Sequence, residues 1–167
     1  MYFAAFFVSY WEFTVIYTTM QTIFLTGATG FVGAYLARYL LLRGYAVRAL
    51  RRRDSPMHLL GEDAQRIEWV EGDLLDSAVL EEAMQGADTV YHSAAFISYH
   101  AADAEKMLRI NAQGTANMVN AALFAGVRRF LHVSSIAALG RKEFVQHFDE
   151  SAVWENNRLN TNYGISK

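Results

Sequence analysis

Residues 23–33 read IFLTGATGFVG: an apolar run of four, then glycine at every third position, then the start of an amphipathic stretch that continues to Arg43. So short an apolar run, bounded by glycine, predicts a buried strand over Ile23 to Thr26, and the periodicity beyond predicts a helix over Val32 to Arg43. Gly27, Gly30 and Gly33 stand between the two elements. A tight turn, a close backbone approach and close helix packing there each favour a residue without Cβ. The first amides of such a helix have no partner inside it, so they suit a phosphate. Gly27, Thr29 and Gly30, with Phe31, Val32 and Gly33 at the helix start, are therefore expected to hold the pyrophosphate of a dinucleotide. The spacing is G-x-x-G-x-x-G and departs from the commoner G-x-G-x-x-G.

Outward from this turn, short apolar runs alternate with longer amphipathic ones, as they do when parallel strands are joined by crossover helices. Further strands are predicted over Ala46 to Leu50, Ile67 to Glu71, Thr89 to Ser93 and Phe130 to Ser134. Helices are predicted over Ala78 to Gln85 and Ala104 to Ala125, with Gly44, Gly86 and Gly126 as stops and Asp76 or Ser77 as a cap. The expected fold is α/β: a Rossmann-type doubly wound parallel sheet in three αβα layers. Residues 141 to 162 are polar and irregular, with four asparagines close together, and read as a surface loop leading into another helix.

Composition narrows the functional classes. The 167 residues carry 15 Lys and Arg against 17 Asp and Glu, a net charge of -2, so no basic field recommends nucleic acid. The absence of cysteine removes disulfides, thiolate metal sites and a cysteine nucleophile, and fits a cytoplasmic protein. His58, His92, His100, His132 and His147 show no metal-ligand spacing, so no metal is expected, and His92 and His132 on strands read as satisfied core histidines. Residues 1 to 19 stand apart, with eight aromatics and no Lys or Arg. They lack the basic start of a secretory signal, and Glu12 interrupts a stretch already shorter than the roughly 20 residues a span needs. They are read as an N-terminal extension outside the domain of residues 20 to 167, with a membrane-surface anchor or an extra packed strand as the alternatives.

Charge at the end of the second strand reports on the adenosine ribose, since a carboxylate there accepts from a 2′-hydroxyl and arginine suits a 2′-phosphate. The strand ends in Arg51, Arg52 and Arg53, and the first acid, Asp54, comes late. NADP is favoured over NAD, with Arg52 and Arg53 as the residues concerned. In EGDL, Asp73 can accept from the adenine amino group, beside Leu74. Tyr163 and Lys167 form Y-x-x-x-K, whose interval puts both on one helix face, where an ammonium favours phenolate and draws the tyrosine toward the working range of a proton donor. Ser134 and Ser135, ending the fifth strand, are hydroxyls able to hold a substrate oxygen.

Taken in order, TGATGFVG, EGDL, HSAA at 92 to 95, NAQGT at 111 to 115, VSSIAALG at 133 to 140 and YGISK resemble the extended short-chain dehydrogenases/reductases of the NAD-dependent epimerase/dehydratase type. The resemblance implies Tyr163 as acid/base, Lys167 on the nicotinamide ribose, Ser135 orienting the substrate oxygen and Asn111 beside them on the long helix. It implies that Ala94 and Ala95 line the cofactor through their backbone. VRALRR is similar to dihydroflavonol reductase-like members, in which an arginine matching Arg52 meets the 2′-phosphate. The expected activity is hydride transfer between a nicotinamide cofactor and an aldehyde or ketone. Nucleotide-sugar epimerisation is the alternative, and a non-catalytic dinucleotide sensor the alternative of another class. A dehydratase of this type carries an Asp-Glu pair where Ile136 and Ala137 stand, so dehydration is disfavoured.

Family members resemble this sequence only up to their midpoint. Their second half supplies most of the pocket for a carbonyl or sugar-nucleotide substrate, and a possible homodimer forms through the long helices. The chain therefore reads as a truncated, inactive portion of such an enzyme. The expected result of an assay on the 167 residues alone is negligible turnover, and reductase activity comparable to a full-length relative would refute it.

Overall fold

The computed structural model describes residues 20–143, 147, 149 and 151–167. The reading of residues 1–19 as an extension lies outside the described residues. Five parallel strands, β1 (Thr22–Thr26), β2 (Ala46–Arg51), β3 (Glu68–Glu71), β4 (Thr89–His92) and β5 (Arg129–His132), form one sheet in the order β3-β2-β1-β4-β5. The expected strands are all present, with ends shifted by one or two residues, as strand ends commonly are.

Alternation along β1 assigns the layers. Ile23 and Leu25 pack with α1 (Phe31–Leu42) through Ala34, Ala37, Leu40 and Leu41. Phe24, pointing to the other face, packs with α2 (Ser77–Ala83) through Leu80 and Ala83 and with α4 (Gly114–Phe124) through Met118, Ala121 and Ala122. Helices thus cover both faces of the sheet, the three-layer arrangement that near-continuous apolar strands require. Asp76 caps α2 by accepting from the Val79 amide at 3.2 Å, an interaction of about 1 kcal/mol.

The long helix differs from its prediction. Residues Ala104–Met107 (α3) and Gly114–Phe124 (α4) are α-helical, but Leu108–Gln113 between them form a π-helical segment. Hydrophobic periodicity cannot reveal such a widening. Its inward side chain is Asn111, which is 4% exposed.

At the carboxyl end of β1 the three glycines serve different needs. Gly27 has φ 74°, and a Cβ on it would lie 2.7 Å from the Ala94 amide nitrogen and the Ser93 Oγ. Gly33 lies in α1, where a Cβ would fall on the Gly27 carbonyl. Gly30 has φ −90° and only one neighbour, the Gly27 carbonyl oxygen at 3.4 Å, so neither strain nor packing demands glycine there. Gly33→Ala should lower the unfolding free energy by about 3 kcal/mol through overpacking. Gly44→Ala, at φ 80° with open space around it, should cost about 1 kcal/mol. Urea unfolding of both variants checks the order, and equal losses would contradict this assignment of the packing glycine.

Candidate functional site

Strand order reverses at β1, whose neighbours are β2 on one side and β4 on the other, so a crevice opens at their carboxyl ends. A cavity of about 240 Å³ occupies it. Gly27, Thr29 and Gly30 from the turn line it, together with Ala94 and Ala95 from the end of β4. The space that a side chain on Gly30 would take is left open on the cavity side. Gly33 serves packing instead, and Phe31 and Val32 are exposed at the start of α1.

The rim at β2 and β3 is polar. Arg51, Arg52, Ser55, Asp73 and Leu74 line the cavity. One carboxylate oxygen of Asp73 accepts from the Leu75 amide at 3.0 Å, and Leu74 is held from behind by Gly114 and by Asn117 Nδ2, which donates to its carbonyl at 3.0 Å. Arg53 does not line the cavity: its Nε donates to Glu71 Oε1 at 2.8 Å, and its side chain is 82% exposed. The third arginine thus stands in a surface ion pair outside the cavity, apart from Arg51 and Arg52. Sequence reasoning overlooked Ser55, Ser93, Phe96 and Ile110, which also line the cavity. Ser93 and Phe96 flank the two alanines of the HSAA stretch and follow them to the cavity, whereas Ser55 and Ile110 carry no motif and reach it only through the folding of distant segments.

Beneath the turn lies a buried polar chain. Thr26 and His92, partners across β1 and β4, meet through Thr26 Oγ1 and His92 Nδ1 at 2.7 Å, and His92 Nε2 lies 3.0 Å from Thr115 Oγ1 on α4. Thr26 Oγ1 also accepts from the Ala94 amide at 3.3 Å, and Ser93 Oγ donates to the Thr26 carbonyl at 2.8 Å. We assign the tautomer in which Thr26 donates to Nδ1 and Nε2–H donates to Thr115, because the reverse leaves the buried Thr26 hydroxyl hydrogen without an acceptor. A second proton on His92 would orphan the same hydroxyl. Burial, with His132 and Lys167 close by, pushes the His92 pKa down to about 3. His132 stacks on it with centroids 5.2 Å apart, and burial and Lys167 lower its pKa as well. The expectation of a satisfied core histidine describes His92. It fails for His132, whose Nδ1 is buried without a hydrogen-bond partner.

The expected catalytic residues come from three elements that touch. A 3-10 turn, Ile136–Leu139, follows β5, with Ser135 Oγ accepting from the Ala137 amide at 3.2 Å, so its hydroxyl hydrogen remains to be donated. Helix α5 (Asn162–Ser166) lies against this turn at Gly164, where a Cβ would be 2.8 Å from the Ala137 carbonyl oxygen. Asn111 uses its whole amide: Oδ1 accepts from the Phe96 amide at 2.7 Å, and Nδ2 donates to the Phe96 carbonyl and to Ser166 Oγ, both at 2.9 Å. Tyr163 is half-buried on α5. The Lys167 ammonium donates to the Val133 carbonyl at 2.9 Å, and burial lowers its pKa. No hydrogen bond joins the Tyr163 and Lys167 side chains among the described residues. Also among them, no group of His, Asp or Glu is placed to hold a metal, and no helix is long and apolar enough to cross a membrane.

A parallel sheet with a glycine turn and a crevice at its strand-order reversal defines a Rossmann-type dinucleotide-binding fold. Residues 23–167 match the family model described as the NAD dependent epimerase/dehydratase family, and the chain belongs to that family. It is 42% identical over 120 residues to "Sterol demethylase protein B" of Methylococcus capsulatus, covering 72% of this chain and 36% of that protein. It is 46% identical over 129 residues to a "Putative dihydroflavonol 4-reductase" of Synechocystis sp., covering 77% and 36%. The chain thus matches about a third of each relative's length. Among solved structures, a short-chain dehydrogenase/reductase superfamily protein from Agrobacterium tumefaciens with bound NAD is similar at a TM-score of 0.73 and 34% identity, over 88% of this chain and 42% of that one.

The His92 pKa, about 3 when folded and near 6.5 when unfolded, has a measurable consequence. As pH falls through 6.5 the unfolded chain takes up a proton that folded His92 refuses, so its contribution to stability, complete above 6.5, is progressively lost. Between pH 7.5 and 5.5 this amounts to about 1.4 kcal/mol. His92→Asn, less stable at pH 7.5, should lose about that much less than the native chain over the same interval in urea unfolding. Identical losses would show that His92 is not the group responsible.

Proposed function

We propose that the chain forms the cofactor-binding part of an NADP-preferring reductase acting on an aldehyde or ketone. The observation carrying this reading is the crevice itself: room at Gly30 for a phosphate beside the α1 amides, and guanidinium groups at the far rim. The reductase name of a 46% identical relative supports the same class of reaction.

In this reading Gly27, Thr29, Gly30 and the first amides of α1 hold the pyrophosphate. Asp73 and Leu74 lie against the adenine, and Ala94 and Ala95 support the cofactor through their backbone. When bound, the nicotinamide exchanges a hydride with the substrate's oxygen-bearing carbon. Tyr163 exchanges the accompanying proton with the substrate oxygen, which Ser135 orients through its free hydroxyl hydrogen. Lys167 contacts the nicotinamide ribose and favours the phenolate of Tyr163. Asn111, with its amide fully engaged, holds α5 in place. An epimerase would use the same residues. The reductase is preferred because two arginines, and no carboxylate, end β2 at the cavity rim.

Fluorescence titration of the chain with NADPH and NADH tests the reading apart from turnover. The expected outcome is binding of both, with NADPH tighter by about tenfold, the equivalent of 1.4 kcal/mol. Tighter binding of NADH would overturn the NADP preference, and binding of neither would overturn the dinucleotide reading.

A further inference from the structure

We propose that the outward face of α1 is a docking surface for residues 1–19 of the same chain. This face lies across the sheet from α2 and α4, and its role is independent of the cofactor reading above.

α1 packs on the sheet through Ala34, Ala37 and Leu41 among others. On its opposite side Tyr35, Tyr39 and Leu42 succeed one another at helical spacing, and Phe31 extends the line to the start of the helix. Tyr35 is 74% and Leu42 79% exposed. A surface helix ordinarily turns charged and polar side chains outward, so a second apolar stripe marks a surface with a partner. α1 holds no acid, and its single cation, Arg38, is paired with Asp63. Arg43, next after the helix, lies over the Tyr39 ring at 4.8 Å from the centroid and is in no ion pair among the described residues.

Reach, composition and charge select the occupant. The Ala46 amide donates to the Gln21 carbonyl at 3.2 Å, and Thr22 pairs with Ala46, so the chain enters β1 beside the start of β2. Only Arg43, Gly44 and Tyr45 separate that strand from the end of α1, so residue 19 is tethered near the Leu42 end of the stripe. A helix of 12 residues is about 18 Å long, a distance that about six extended residues cover. Nineteen residues suffice to round the helix and follow the stripe. They include eight aromatics, which bury large areas on contact with other rings, and their one charged side chain is Glu12. The segment thus brings an acid and no base to a helix that offers cations and no acid, with Arg43 beside the stripe. A short tether also gives the segment an effective concentration of about millimolar, an advantage over any separate molecule.

The chain has no cysteine, so Ser9→Cys creates a unique attachment point for a nitroxide in the middle of the segment. The labelled chain, isotope-enriched and diluted into excess unenriched cysteine-free chain, is read by amide resonances. Signals of Tyr35, Tyr39 and Leu42 should be lost to paramagnetic broadening and should return when the nitroxide is reduced, while those of Met118 and Ala122 on α4 persist. Tyr35→Ser combined with Leu42→Ser should restore the α1 signals. Both side chains are exposed, and unchanged amide shifts along β1 and β4 will show that the fold is kept. Glu12→Gln should make the loss partial. Persistence of the α1 signals in the diluted sample overturns the proposal, as does a loss that survives the double substitution in a folded chain. Broadening found only between a nitroxide-bearing chain and a separate enriched chain also overturns it, making the occupant a second copy. Broadening that requires vesicles of phosphatidylcholine and phosphatidylglycerol overturns it in favour of a lipid surface.

Discussion

The contact between Thr26 and His92 is the constraint on which the crevice depends. It joins the carboxyl ends of β1 and β4, where strand order reverses, and it continues through Thr115 into the helix covering that face. The Thr26 hydroxyl also receives the Ala94 amide, so the start of the glycine turn and the backbone opposite it share one buried oxygen. A buried hydrogen bond contributes only about 1 kcal/mol net, but an orphaned donor or acceptor costs about 1–3 kcal/mol. The chain of bonds is therefore stable only when complete. Completeness requires a neutral His92 in one tautomer, so the fold suppresses the charge of a histidine beneath the crevice.

Most of the scaffold was legible because its causes are local. Gly44, Gly86 and Gly126 follow helices at φ 80°, 73° and 69°, and their stop role needs nothing beyond the absence of Cβ. Asp76 caps its helix as an acid before an apolar run should. The short apolar strands needed only their bounding turns to be placed. Legibility declined where a residue's role depends on a distant partner. Arg51, Arg52 and Arg53 are identical letters in a row, yet Glu71 takes one of them, Trp69 and Met57 order another, and one stays exposed. The asparagine-rich stretch, read as an irregular surface loop, is knit by its own side chains. Asn160 Oδ1 accepts from the Arg141 amide, and Asn157 Nδ2 donates to the Arg141 carbonyl.

The part of the site that carries the expected catalytic residues is built on a different principle from the glycine turn. The glycine turn sits between a buried strand and a twelve-residue helix, so its geometry is set by the core. Helix α5 has five residues, far too few to be stable by its own hydrogen bonds. Its position comes instead from tertiary contacts: Thr161 capping the Gly164 amide at 3.0 Å, the close approach of Gly164 to Ala137, Ser166 on Asn111, and Lys167 on the Val133 carbonyl. Ser166 also donates to the Tyr163 carbonyl at 2.8 Å, so one hydroxyl links the expected acid/base residue to the π-helical segment. Asn111 binds both backbone groups of Phe96, a cavity-lining residue, and so ties α5 to the loop bordering the crevice. The two halves of the site are coupled through that one amide. Its value lies in the geometry it transmits, which accounts for a buried asparagine where the helix opens into a π turn.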